Sequence, residues 1–156
     1  MKKIYLANAL FSESDIMYNE ILYKNLVDLG FEVYAPQKNM TINDKSKSAD
    51  SIMIFDGDTE KLEWADIIVA VLDGPVIDPG VAAEIGYMAA KQKTILGLFT
   101  DSRECSKTLN TGKIELLNRT LESQFPYANL YVVGAVKKYG KVFTSQKSLY
   151  NFLKTI

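Results

Sequence analysis

The sequence predicts an α/β fold, a three-layer α/β/α sandwich built on a parallel sheet of about five strands. Apolar runs of strand length alternate with segments of helical periodicity, which implies right-handed βαβ crossovers and helices on both faces of the sheet. The run Asp66 to Leu72, DIIVAVL, is almost continuously aliphatic, as a strand covered on both faces should be. The chain has 156 residues, 47% of them hydrophobic and 24% charged, a size and composition suited to a single domain spanning 1–156.

The elements follow in order. Lys3 to Ala9 is an apolar run ending in small residues, a buried strand. Ser12-Glu13-Ser14-Asp15 fits a capping box, in which a hydroxyl and a carboxylate satisfy the free N–H groups of a helix start. Tyr18, Ile21, Leu22, Leu26 and Leu29 continue at helical spacing, and Gly30 stops the helix. Phe31 to Ala35 is a second strand closed by Pro36. Gln37 to Asp50 is polar and unpatterned, a long loop of the kind that serves as a lid or binding segment. Ser51 to Trp64 reads as a helix, Asp66 to Leu72 as a strand, Pro79 to Lys91 as a helix and Thr94 to Phe99 as a strand. A polar loop from Thr100 to Thr111 and a helix over Gly112 to Gln124 come next. Asn129 to Phe143 fits strand and helix alike. Leu149, Phe152, Leu153 and Ile156 mark a final amphipathic helix.

Several chemistries are excluded. The net charge of -1, with Lys and Arg scattered, gives no footprint for a nucleic-acid polymer or an anionic membrane. The opening MKKIYLANALF is broken by Asn8 and Ser12, and no segment reaches the roughly 20 apolar residues of a membrane span, so a cytoplasmic location is expected. With no histidine and one cysteine, Cys105, there is no internal disulfide, no Ser-His-Asp or Cys-His nucleophile and no His-ligated zinc. Acid–base work falls to carboxylates, tyrosines or lysines. Neither GxGxxG after the first strand nor GxxxxGK[ST] is present, which argues against dinucleotide and P-loop phosphate binding. A phospho-receiver would carry an acidic pair where Ala7-Asn8-Ala9 stands. Asp56, Asp58, Glu60 and Glu63 read as a charged helix face; no metal or cofactor is expected, although a carboxylate-only magnesium site is compatible with them.

In such folds ligands bind at the carboxyl ends of the strands, which places Ala7 to Phe11, Leu72 to Pro79 and Thr100 to Arg103 around one crevice. The stretch DGPVIDPGVAAEIGYMAAK enters it. Asp78, Pro79 and Gly80 suit the N-cap and first turn of a helix. Glu84 lies about a turn too deep to be a capping glutamate. Ala82, Ala83, Ile85, Gly86, Ala89 and Ala90 surround it, and Gly80, Val81, Tyr87 and Met88 leave no polar stripe for it to join. Spacing alone admits a solvated surface position and a carboxylate held in the crevice; in the second case desolvation raises its pKa.

Five segments in this order, YLANALFS, Asp58…Ala65-Asp66-IIVAVLDG, DPGVAAEIGYMAA, KTILGLFTDSR and Asn129-Leu130-Tyr131, resemble the nucleoside 2-deoxyribosyltransferase family over nearly the whole chain. The resemblance implies a flavodoxin-like sheet and a double-displacement transfer of 2-deoxyribose between nucleobases, a salvage reaction without cofactor. It makes Glu84 the nucleophile, Tyr5 the phenol that orients it, and Asp58 the group that exchanges a proton with the base. It puts Asp78 on a sugar hydroxyl, Phe11 against the base, and Gly74, after the strand ending LDG, at the substrate. Asn129 would reach into a neighbouring subunit's site, so a homo-oligomer, dimer or hexamer, is implied. Tyr131 departs from the Met that some members carry and bears on the exclusion of a 2′-hydroxyl. Structural alternatives are sheet core for Tyr5, a helix staple for Phe11 and a turn for Asn129. A related 2′-deoxynucleoside 5′-monophosphate N-glycosidase is the second reading: Ser12 and Ser14 suit a phosphate, but no arginine follows the first strand. A nucleoside-sensing module is the third, disfavoured by the cost of keeping an unpaired carboxylate.

Overall fold

The computed structural model describes residues 1–39, 50–101 and 128–156. Five strands, β1 (Lys3–Ala7), β2 (Glu32–Tyr34), β3 (Ile67–Val71), β4 (Thr94–Leu98) and β5 (Gly140–Phe143), form one sheet in the order β2-β1-β3-β4-β5. Every neighbouring pair is parallel. The helices are α1 (Glu13–Asp28), α2 (Ser51–Trp64), α3 (Pro79–Ala90), α4 (Leu130–Tyr139) and α5 (Gln146–Leu153).

Alternation along the strands builds the two cores. Ile4, Leu6, Ile67 and Val69 face Leu22 and Leu26 of α1 and Leu149 and Leu153 of α5. Tyr5, Ala7, Ile68 and Ala70 face the other way, toward Leu62 of α2, Val81, Ile85 and Met88 of α3 and Val136 of α4. The sandwich therefore has the three predicted layers, and its strand order is the flavodoxin-like one. The chain moves outward from β1 to β2 and then returns across β1 to β3, so the strand ends diverge between β1 and β3 and open a crevice there.

The differences from expectation lie at the ends of elements. β1 stops at Ala7 because Asn8 and Ala9 turn away to hydrogen-bond with Asn19 on α1. Asn129–Phe143 is neither all strand nor all helix: α4 runs straight into β5. Val132, Val133 and Val136 favour a strand by propensity, but the Asn129 side chain accepts from Tyr131 N at 3.0 Å and starts a helix whose Val136 is fully buried against the sheet. Ser12 and Asp15 form the expected capping box. The predicted helix Gly112 to Gln124, most of the 37–50 and 100–111 loops, Arg103 and Cys105 lie outside the described residues. No helix among the described residues is long and apolar enough to cross a membrane.

Candidate active site

The site is assembled from the carboxyl ends of β1 and β3 and the first turns of α3. Asp78 starts that helix, its Oδ2 accepting from Gly80 N at 2.9 Å and Val81 N at 3.1 Å, with Pro79 preset for the first helical position. Val81, Ile85 and Met88 form the buried stripe, and Glu84, three residues after Val81 and four before Met88, belongs to the same face. A carboxylate thus occupies a place where packing alone would put an aliphatic side chain.

Tyr5 meets it from the sheet. Tyr5 is fully buried on the α3 face of β1, and its hydroxyl donates to Glu84 Oε1 at 2.6 Å. Burial pushes the Glu84 carboxyl up to about 7; the Tyr5 bond opposes this, while the charges of Asp58 and Asp78 add to it. The Tyr5 phenol is itself pushed well above its ordinary value by burial and by the Glu84 and Asp58 charges, so it remains a donor at any physiological pH. Asp58, on α2, is raised by burial, and hydrogen bonds from Tyr34 and Tyr5 work against that rise. The Tyr34 hydroxyl lies 3.3 Å from Asp58 Oδ1 and is held by Asn39 Nδ2 at 3.1 Å. Tyr34 is paired with Tyr5 in the sheet register, and their ring centroids are 5.4 Å apart. Two acids thereby share one pair of phenols.

Tyr5→Phe should raise the Glu84 pKa further, because it deletes the donor that favours the carboxylate. A hydrogen bond to a charged group is worth about 1.5–3 kcal/mol, equivalent to about 1–2 pH units. Carbon-13 titration of the Glu84 carboxyl in the two proteins reads this directly; an unmoved midpoint would show that the bond leaves the ionisation unaffected.

Two crevices meet here. The smaller, about 260 Å³, is lined by Phe11, Pro36, Ile54, Asp58 and Glu84 among others. The larger, about 580 Å³, is lined by Ser14, Tyr18, Asp73, Gly74, Val76 and Thr100 among others. Asn8 and Asp78 are common to both linings. The predicted strand-end loops do converge, as the lining shows up to Thr100. No Lys or Arg lines either crevice among the described residues, whereas Asp15, Asp73 and Asp78 line the larger one.

The structure brings Tyr5, Asp58, Asp78, Glu84 and Phe11 together at the smaller crevice and Gly74 to the larger one. Phe11 is 82% exposed at the mouth and is therefore no helix staple. Gly74 adopts φ +110°, a conformation open to glycine, and a Cβ there would lie 3.3 Å from Val76 O. Asn129 and Tyr131 line neither crevice of their own chain; Asn129 caps α4 and Tyr131 is 87% exposed. Glu63 and Glu60 belong to a charged surface, Glu63 accepting from Lys91 at 2.6 Å and Glu60 from Lys61 at 3.1 Å. Sequence reasoning missed Asn8, Asn19 and Tyr34. Asn8 left a signal, a polar residue interrupting an apolar run; the role of Tyr34 depends on strand pairing and left none.

A family model described as nucleoside 2-deoxyribosyltransferase matches residues 4–139. No curated protein matches the chain. Among solved structures, a conserved protein from Enterococcus faecalis V583 is similar at 45% identity with a TM-score of 0.90, the match covering 99% of this chain and 98% of that one. A 2-deoxyribosyltransferase from Bacillus psychrosaccharolyticus matches at 21% identity and TM-score 0.69, covering 99% and 91% of the two chains. A CMP N-glycosidase from Clostridium botulinum matches at 17% identity and TM-score 0.56, covering 99% and 100%. The last two likenesses are of fold.

Proposed function

This chain belongs to the nucleoside 2-deoxyribosyltransferase family, and from that premise we propose that it exchanges the nucleobase of 2′-deoxynucleosides through a covalent 2-deoxyribosyl ester on Glu84. The observation that carries the reading is the Glu84 carboxylate, set in an apolar helix stripe at the floor of a crevice and held by the buried Tyr5 hydroxyl at 2.6 Å.

In the first displacement a Glu84 oxygen bonds to C1′ as the C1′–N bond breaks, the bond electrons passing to the departing base and a proton reaching that base from Asp58. The ester is then opened by a ring nitrogen of the second base, which bonds to C1′ as the C1′–O bond breaks; Glu84 leaves as a carboxylate and Asp58 takes up the proton. Two inversions at one carbon give net retention. Tyr5 stabilises the ionised, attacking form of Glu84 and fixes its direction. Phe11, Pro36 and Ile54 supply an apolar wall for a planar base, and Asp78 and Gly74 face the sugar.

A second subunit completes the site in this reading. Phe11, Ile52, Phe55 and Val76 are 82%, 68%, 65% and 69% exposed, more apolar surface than a site mouth needs. Asn129, at the cap of α4, and Tyr131 are exposed on their own chain and would meet a neighbour's crevice in a cytoplasmic homo-oligomer, dimer or hexamer. The absence of Lys and Arg from the described linings favours a neutral 5′-hydroxyl over a 5′-phosphate, which would face the carboxylates of the larger crevice.

Incubation with 2′-deoxyinosine and free adenine should yield 2′-deoxyadenosine and hypoxanthine, followed by chromatography, and 2′-deoxyinosine 5′-monophosphate should be the poorer donor. Hypoxanthine released without any new nucleoside would mean that water, not a base, opens the ester, and the hydrolase reading would replace this one. Binding with no base release would leave a sensing module.

A further inference from the structure

The two crevices are joined at Asn8 and Asp78, and Asn8 is oriented from behind. Asn19 on α1 is 4% exposed, the buried polar residue of the described core. Its Nδ2 donates to Ala9 O at 3.0 Å. A main-chain carbonyl can only accept, so the amide nitrogen of Asn19 must face it, and Asn19 Oδ1 must face Asn8. That oxygen accepts from Asn8 Nδ2 at 2.7 Å. A flipped Asn8 would set two carbonyl oxygens against each other, so the amide of Asn8 is fixed in turn. Asn8 Oδ1 has no protein donor among the described residues and is not sealed inside the protein.

We propose that Asn8 is a specificity-determining residue whose Oδ1, oriented by Asn19, accepts a sugar hydroxyl of the bound nucleoside. The inference rests on the reading that this site takes 2′-deoxynucleosides. Asp78 lines both crevices with Asn8, its Oδ2 committed to Gly80 N and Val81 N and its Oδ1 without a donor among the described residues. A 2-deoxyribosyl group carries two free hydroxyls, at C3′ and C5′, and the junction of the crevices offers two acceptors, Asn8 Oδ1 and Asp78 Oδ1. Acceptors left without a hydroxyl are desolvated for nothing, which is how such a site rejects a sugar lacking one. Asn19 is a positioning residue for this contact, since it reaches the crevice only through Asn8.

The test is calorimetric binding of 2′-deoxyinosine, 2′,3′-dideoxyinosine and 2′,5′-dideoxyinosine to the full chain carrying Glu84→Gln, in which turnover does not consume the ligand. Adding Asn8→Ala should weaken 2′-deoxyinosine and one dideoxy analogue by about 5- to 10-fold and leave the other analogue, the one lacking the hydroxyl that Asn8 accepts, unchanged. A ratio of Kd values within one preparation does not depend on its folded fraction, so the comparison holds should the substitution loosen the loop. Equal weakening of all three ligands, no weakening of any, or no binding of the parent overturns the assignment. The base-exchange assay on the unsubstituted chain scores the underlying reading separately.

Discussion

Glu84→Gln is expected to lower the kcat/KM for base exchange by at least about 10³-fold and, at the same time, to make the protein more stable at pH 8. The loss follows from removing the nucleophile: an amide forms no ester at C1′, and what remains is binding and the electrostatics of the pocket. The gain follows from the position of the group. Glu84 has its folded pKa raised from 4.5 to about 7 by burial, so the folded protein binds this proton more tightly than the unfolded chain does. Its contribution is then favourable in full below about 4.5 and is lost as pH rises through about 7, the lost amount being about 3 kcal/mol. Gln carries no charge to desolvate, keeps the shape and still accepts from Tyr5. The difference in stability between the two proteins should therefore be small at pH 4.5 and open as pH rises to 8, measured by urea denaturation. For the same reason the activity of the unsubstituted protein should increase with pH through about 7, since the ionised form is the one that attacks. Retained exchange in Glu84→Gln would remove the nucleophile from the mechanism, and a stability difference independent of pH would mean the carboxylate is solvated.

Gly140→Ala should abolish folding or cost at least about 4 kcal/mol, beyond the usual range for overpacking. Gly140 pairs with Ile95 where α4 turns directly into β5, and its φ of -178° is ordinary extended backbone, so the requirement is space and not torsion. A Cβ built there would stand 1.8 Å from Ile95 O and 2.7 Å from Ile95 C. Those are main-chain atoms of β4, which is hydrogen-bonded on both sides, and they cannot step aside as a flexible side chain would. Gly134, inside α4 with nothing within 4 Å of its missing Cβ, is the control: Gly134→Ala should be neutral or stabilising by up to about 1 kcal/mol. Chemical denaturation of both variants checks the pair. A cooperative transition for Gly140→Ala within about 1 kcal/mol of the parent would show that β5 docks less closely than described.

Much of the site could be read along the chain because its chemistry is concentrated in α3 and the strand ends. A carboxylate one turn past a DPG helix start, in a stripe otherwise small or apolar, is visible without coordinates; its direction is not. Tyr5 read equally well as sheet core, and it is sheet core, with a hydroxyl that also reaches a residue 79 positions away. Tyr34 enters only through its register opposite Tyr5, and Asn8 only through a hydrogen bond to a residue on the next helix.

What the sequence by itself determined is local: alternation that gives each strand two apolar faces, hydroxyl and carboxamide caps that start helices, and the placement of Glu84 on the buried stripe of one of them. Strand order was left to the tertiary structure, because parallel pairing depends on which crossovers pack together and not on any residue's neighbours in the chain. Setting β1 between β2 and β3 puts the Tyr5 phenol over Glu84 and Tyr34 beside Asp58. That same arrangement withdraws the carboxylates from water and raises the pKa on which the proposed chemistry depends.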